Sequence, residues 1–191
     1  MERIGLFGGS FDPVTLGHLL VAQAAREEVE LARLYFIPTA QSPLKPGFQP
    51  APAAQRLRML RLALAGQTRY EIDELEIARG GFSYTIDTAR HYTSSFPEAR
   101  LFYLIGSDLV AQLPEWREAD ELARLLEFIV IPRPGEALTD LPRPFRGRAL
   151  KGFPLGVSSS QIRQRVKAGL SIDWLVPSAV AEVIANERLY L

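Results

Sequence analysis

The stretch RIGLFGGSFDPVTLGHLLVAQAAREEVEL, residues 3–31, decides how the rest of the chain is read. Its first seven residues form a short apolar run ending in two glycines, the pattern of a buried strand entering a tight turn. After the turn, Leu16, Leu19, Leu20 and Val21 recur at helical spacing among alanines and charged residues. The unpaired N–H groups and positive dipole end of a helix placed there suit a phosphate. The stretch lacks the dinucleotide fingerprint, because no G-x-G-x-x-G follows Gly8, and no Gly-Lys-Ser or Gly-Lys-Thr makes it a Walker loop. Taken alone, Gly8 and Gly9 read as a plain turn and His18 as an ordinary helix residue. Thr15 and His18 nevertheless stand three apart at the helix start and point the same way. Gly17 leaves the surface beside the imidazole bare, and both hydroxyl and imidazole donate to phosphate.

Working outward, RLYFIPT (33–39) is a second strand closed by Pro38, followed by a Pro-rich loop over 40–53. AQRLRMLRLALAG (54–66) predicts a helix with Gly66 near its C-cap. YEIDELEIAR (70–79) reads as a strand and then an irregular stretch, and SYTIDTARHYTSSF (83–96) as a helix with Ser and Thr near its N-cap. ARLFYLIGSD (99–108) is a buried strand, EWREADELARLL (115–126) a helix and EFIVIPRPG (127–135) another strand. Residues 147–170 begin as a strand and end as a Ser-capped helix, and LVPSAVAEVIANERLYL (175–191) gives a last helix. Strands alternating with helices predict an α/β fold: a Rossmann-like, doubly wound parallel sheet with helices on both faces. Ligands of such sheets bind at the carboxyl ends of the strands, where the polar tips GGSFDP, TAQSPLK, GSD and PRPG all fall. One domain over 1–191 is expected, with a small C-terminal helical portion from about 158.

Lys plus Arg equals Asp plus Glu, at 22 each, so no general attraction to nucleic acid or an anionic membrane is expected. The absence of cysteine removes disulfides, thiolate nucleophiles and Cys-based metal sites. Two distant His residues do not make a His-rich metal centre, so no protein metal site is expected. No run approaches the roughly 18 apolar residues of a membrane span, and the first residues are unlike a signal peptide. A cytoplasmic protein is expected, and a homo-oligomer is left open.

VSSSQIRQRV, residues 157–166, is the second stretch that carries chemistry. One Ser caps the helix that follows. That leaves two more Ser residues, and Arg163 one turn inside, for gripping an anion. Together, GGSFDPVTLGH and VSSSQIR resemble the H/T-x-G-H and I-S-S-T-x-I-R signatures of the nucleotidyltransferases related to class I aminoacyl-tRNA synthetases. Further segments narrow the resemblance to the bacterial nicotinate-nucleotide adenylyltransferases. These are SPLK (42–45), RGGFSYTIDT (79–88), IGSDLVAQLPEW (105–116), PRPG (132–135) and the tail LVPSAVAEVIANERLY (175–190). The chain departs from that family at Thr15, usually His, and at Leu44, often His; Thr at 15 is common in the related pantetheine-phosphate adenylyltransferases.

The resemblance implies transfer of the adenylyl group of ATP to nicotinate mononucleotide, with nicotinamide mononucleotide or 4′-phosphopantetheine as alternative acceptors. It implies that His18, Thr15, Arg163 and Lys45 serve the reacting phosphates. Gly8, Gly9, Ser10, Phe11, Gly106, Asp108, Arg133, Ser158 and Ser159 would complete the ATP site. Lys45, Tyr84, Thr85, Asp108 and Trp116 would hold nicotinate mononucleotide, with Trp116 stacked on the pyridine ring. Mg²⁺ is expected to arrive with ATP, bound mainly by its phosphates. Asp12 reads as shaping the turn, Trp174 as packing and His91 as a surface residue.

Overall fold

A computed structural model describes residues 1–45, 47–133, 135, 140–153 and 155–191. The expected strand-turn-helix opening is present as β1 (Arg3–Gly9) and α1 (Leu16–Val29). There follow β2 (Arg33–Pro38), α2 (Ala53–Ala63), β3 (Tyr70–Ile72), α3 (Leu75–Arg79), α4 (Thr85–Ser95) and β4 (Arg100–Gly106). A 3₁₀ run (Ser107–Glu115) leads into α5 (Ala119–Leu125), β5 (Glu127–Ile131), β6 (Gly147–Ala149), α6 (Ser159–Lys167) and α7 (Ser178–Asn186).

The six strands form one parallel sheet in the order β3-β2-β1-β4-β5-β6. The order reverses between β1 and β4, which opens a crevice at their carboxyl ends. Alternate residues of each strand feed two separate cores. Leu34 and Phe36 pack under α1, α2 and α7 through Ala22, Met59, Leu60 and Val183, while Tyr35 and Ile37 pack under α4 and α5 through Ile86, Tyr92 and Leu122. A strand covered on both faces has no polar side, which is why RLYFIP reads as an unbroken apolar run.

Three local expectations change. The stretch after β3 is a short helix, α3, whose Glu76 points inward. Helix α4 has no side-chain cap: Tyr84 occupies the cap position, and the Ser83 hydroxyl instead accepts from the Ala40 N–H at 3.0 Å. Trp174 does not pack; it is 88% exposed, on a turn with φ +63° that carries its ring away from the core. Of the expected loop 132–135, Pro134 lies outside the described residues. Among the described residues no helix is long and apolar enough to cross a membrane.

Candidate active site

A cleft of about 580 Å³ opens at the carboxyl ends of β1 and β4. Gly8, Gly9, Ser10, Lys45, Tyr84, Thr85, Gly106, Asp108, Trp116 and Arg133 of the expected residues line it. The glycines are there for space. A Cβ on Gly8 would lie 2.5 Å from the Tyr103 hydroxyl, and one on Gly106 would lie 2.3 Å from Asp108 Oδ1. Asp108 therefore folds back over the strand end, where Arg133 holds it through two bonds of 2.8 and 2.9 Å. Burial and the nearby Arg163 and Arg133 charges lower the Lys45 pKa. The Asp108 and Asp12 carboxylates oppose that shift, and the Lys45 side chain stays exposed, so an anion entering the cleft meets an accessible cation flanked by charges of both signs.

The two signature stretches meet next to this cleft rather than in it. The Ser159 hydroxyl donates to the Pro13 carbonyl at 2.8 Å, and Arg163 Nη1 donates to the Asp12 carbonyl at 2.7 Å. The Arg163 guanidinium also lies over the Phe48 ring at 4.6 Å. Ser158 caps α6, accepting from the Gln161 N–H, while the Gln161 side chain accepts from the Ser158 N–H. The Ser158 and Ser159 hydroxyls and Arg163 are thus engaged by protein partners, while the Ser159 and Ser160 N–H groups at the start of α6 have no partner among the described residues.

Thr15 differs from expectation. It is 0% exposed and caps α1, so its hydroxyl cannot face a nucleotide. It holds His18 instead: Nδ1 accepts from the Thr15 N–H at 3.0 Å and lies 2.8 Å from Thr15 Oγ1. An imidazole whose Nδ1 accepts a backbone proton carries its own proton on Nε2. Burial, and secondarily the Lys45 charge, lower the His18 pKa to about 4, so at neutral pH the ring is an uncharged donor through Nε2. Phe11 also departs from expectation: its side chain is buried and packs against His18, with ring centroids 5.2 Å apart. Phe7, a wall of the cleft, lies 5.9 Å from the same imidazole and joins the two halves of the site.

Asp12, expected from the sequence to shape the turn, and three residues that the sequence does not single out, Arg56, Tyr103 and Tyr190, help to build the site. Asp12, 1% exposed, accepts from the Tyr190 hydroxyl at 2.7 Å and from the Ala51 N–H at 3.3 Å. Buried Arg56 donates to the carbonyls of Ser10 and Ala51, at 2.8 and 2.9 Å. Tyr103 lines the cleft edge-on to Trp116. A polar residue inside an apolar run (LFYLIG) was the available signal for Tyr103; nothing local marks Arg56 or Tyr190. His91 is exposed, as expected.

A Gly-rich strand-to-helix turn and a Ser-capped helix flanking a crevice at a switch point define a nucleotide-handling α/β protein. The cytidylyltransferase-like family model matches residues 6–165. A "Probable nicotinate-nucleotide adenylyltransferase" of Opitutus terrae is 43% identical over 191 residues, covering 98% of this chain and 97% of the relative. One of the same name from Geobacillus thermodenitrificans is 40% identical, covering 100% of this chain and 87% of the relative. In structure, the Plasmodium falciparum nicotinic acid mononucleotide adenylyltransferase complexed with NaAD superposes with a TM-score of 0.84. It is 18% identical, and the match covers 100% of this chain and 98% of that one, a likeness of fold. The chain belongs to the cytidylyltransferase-like nucleotidyltransferases and, within them, to the nicotinate-nucleotide adenylyltransferase family.

Proposed function

We propose that this protein transfers the adenylyl group of ATP to nicotinate mononucleotide, giving deamido-NAD and pyrophosphate. The observation that carries this reading is a single cleft joining cationic groups, Lys45 and Arg133, to aromatic walls, Tyr84, Tyr103 and Trp116, in a chain of this family. A polyanionic nucleotide needs the first set and a flat pyridine ring the second.

An oxygen of the nucleotide's phosphate attacks the α-phosphorus of ATP, a P–O bond forms, and the bond from the α-phosphorus to the bridging oxygen breaks as pyrophosphate leaves. The attacking oxygen is already anionic, so no general base is required, and the protein's work is positioning and charge stabilisation. His18 Nε2–H donates to the α-phosphate, Lys45 spans the reacting phosphates, and the α6 N-terminus with Ser158, Ser159 and Arg163 receives the β- and γ-phosphates. Thr15 acts through His18, as a positioning residue. Gly8, Gly9, Ser10, Gly106, Asp108 and Arg133 line the nucleotide path, with Asp108 accepting from ribose hydroxyls. Phe11 supports it from below. Trp116 stacks on the pyridine, and the N-terminal turn of α4 at Tyr84 and Thr85 receives the ring's carboxylate.

Mg²⁺ enters with ATP as part of the substrate. Among the described residues no group of three or more His, Cys, Asp or Glu side chains could hold an ion, and phosphate oxygens are its natural ligands. Residues 1–191 act as one domain in this reading, supported by a core that takes in Phe7 and Val180 alike. Its place in this reading is the cytoplasm.

The test supplies MgATP with nicotinate mononucleotide, nicotinamide mononucleotide or 4′-phosphopantetheine and measures pyrophosphate release. The greatest kcat/KM is expected with nicotinate mononucleotide; release with phosphopantetheine alone would overturn the assignment.

A further inference from the structure

Tyr103 lines the cleft beside Trp116, and its hydroxyl has a proton to give. The ring stands edge-on to Trp116 at 6.2 Å and to Phe128 at 6.1 Å, which fixes its direction. Its oxygen projects over Gly8, where any larger residue would collide with it. The oxygen accepts from Thr85 Oγ1 at 3.4 Å, and among the described residues nothing accepts the phenol's own hydrogen. Burial raises the Tyr103 pKa, so the group remains a donor across the neutral range.

This donor shares its space with the first turn of α4, where the Asp87 N–H bonds the Tyr84 carbonyl while the Thr85 and Ile86 N–H groups have no partner among the described residues. The nearby carboxyl, Glu76, is buried behind the cleft, where desolvation raises its pKa and Oε1 accepts from the Thr88 hydroxyl at 2.6 Å. Donors thus converge at this end, against a carboxyl whose negative form is disfavoured.

We propose that the Tyr103 hydroxyl donates to the acid substituent of the pyridine ring and sets the preference for carboxylate over carboxamide. The proposal rests on the adenylyltransferase reading above. A carboxylate accepts from the helix N–H groups and the phenol together, whereas a carboxamide must turn its own NH₂ toward one of these donors. Hydrogen bonds to a charged acceptor are also about twice as strong as to a neutral one.

Tyr103→Phe keeps the ring and its packing and removes the donor. With saturating MgATP, KM for nicotinate mononucleotide is expected to rise about tenfold, and KM for nicotinamide mononucleotide and for ATP to change less than about twofold. Calorimetric binding of deamido-NAD against NAD makes the same comparison without turnover, with about tenfold weaker binding expected for deamido-NAD alone. An equal change for acid and amide ligands, or none for either, overturns the role of the hydroxyl. A wild-type protein that binds deamido-NAD normally but releases no pyrophosphate would sink the reaction while leaving this comparison to be read. One that binds neither dinucleotide overturns both.

Discussion

The two ends of the site are built on opposite plans. At the phosphate end the polar groups already have protein partners: Thr15 with His18, Ser159 with the Pro13 carbonyl, Arg163 with the Asp12 carbonyl. At the end proposed for the pyridine, Trp116 Nε1 and Thr39 Oγ1 are buried without a partner among the described residues, and none of those residues accepts the Tyr103 hydrogen. Donors fixed in advance need no reorganisation when charge develops in a transition state. Buried groups without partners have already lost their water, so a ligand that pairs with them gains nearly the full hydrogen bond, and one that does not leaves the deficit in place. In the proposed reaction, the first arrangement serves rate and the second selection.

Substitutions at the two ends should therefore fail differently. His18→Ala is expected to lower kcat by about a hundredfold or more, as for loss of a transition-state donor, with KM for the pyridine nucleotide little changed. A near-normal kcat would show that the fixed end does not set the rate. Trp116→Ala should raise KM for the pyridine nucleotide about tenfold and leave KM for ATP nearly unchanged. An equal rise in both would erase the division between the ends.

The fixed end should also show itself in stability against pH. His18 has its pKa lowered to about 4 from an ordinary 6.5, so between those values the unfolded chain binds a proton that the folded one refuses. Stability is then full above about 6.5 and falls as pH drops toward 4, with a slope of at most about 1.4 kcal/mol per unit from this group. His18→Gln should flatten the melting temperature over that window; an unchanged profile would mean that the ring titrates normally. The smallest effect is expected from Tyr190→Phe, which removes the hydroxyl bonded to Asp12 and should cost about 1 kcal/mol in denaturant unfolding. No loss would mean that this tie does not brace the phosphate loop.

Much of this was legible in the chain itself. The alternation of apolar runs placed the six-stranded sheet, and the two glycine-bearing strand tips placed the crevice, because burial and turns leave local marks. The short helix after β3 was missed, since five residues are too few to display a period. Thr15 was found but assigned to phosphate: spacing showed that it shares a face with His18, not that its cap position seals it from the cleft. Ser159 and Arg163 were likewise found as a pair, without sign that each is tied to the loop at Asp12 and Pro13. Trp174 was misread because a left-handed backbone, which turns its ring outward, has no signature in a tryptophan. Tyr190 and the link from Arg56 to the Ser10 carbonyl were out of reach, because those partners lie 178 and 46 positions away.

That longest tie has a consequence for the order in which the molecule is finished. Asp12 is synthesised 178 positions before Tyr190, so its carboxylate must wait for that partner. Every strand of the sheet is synthesised by residue 149, while the brace on the loop beside His18 is still to come. Synthesis thus completes the strands of the sheet before it supplies the brace on the loop at Asp12.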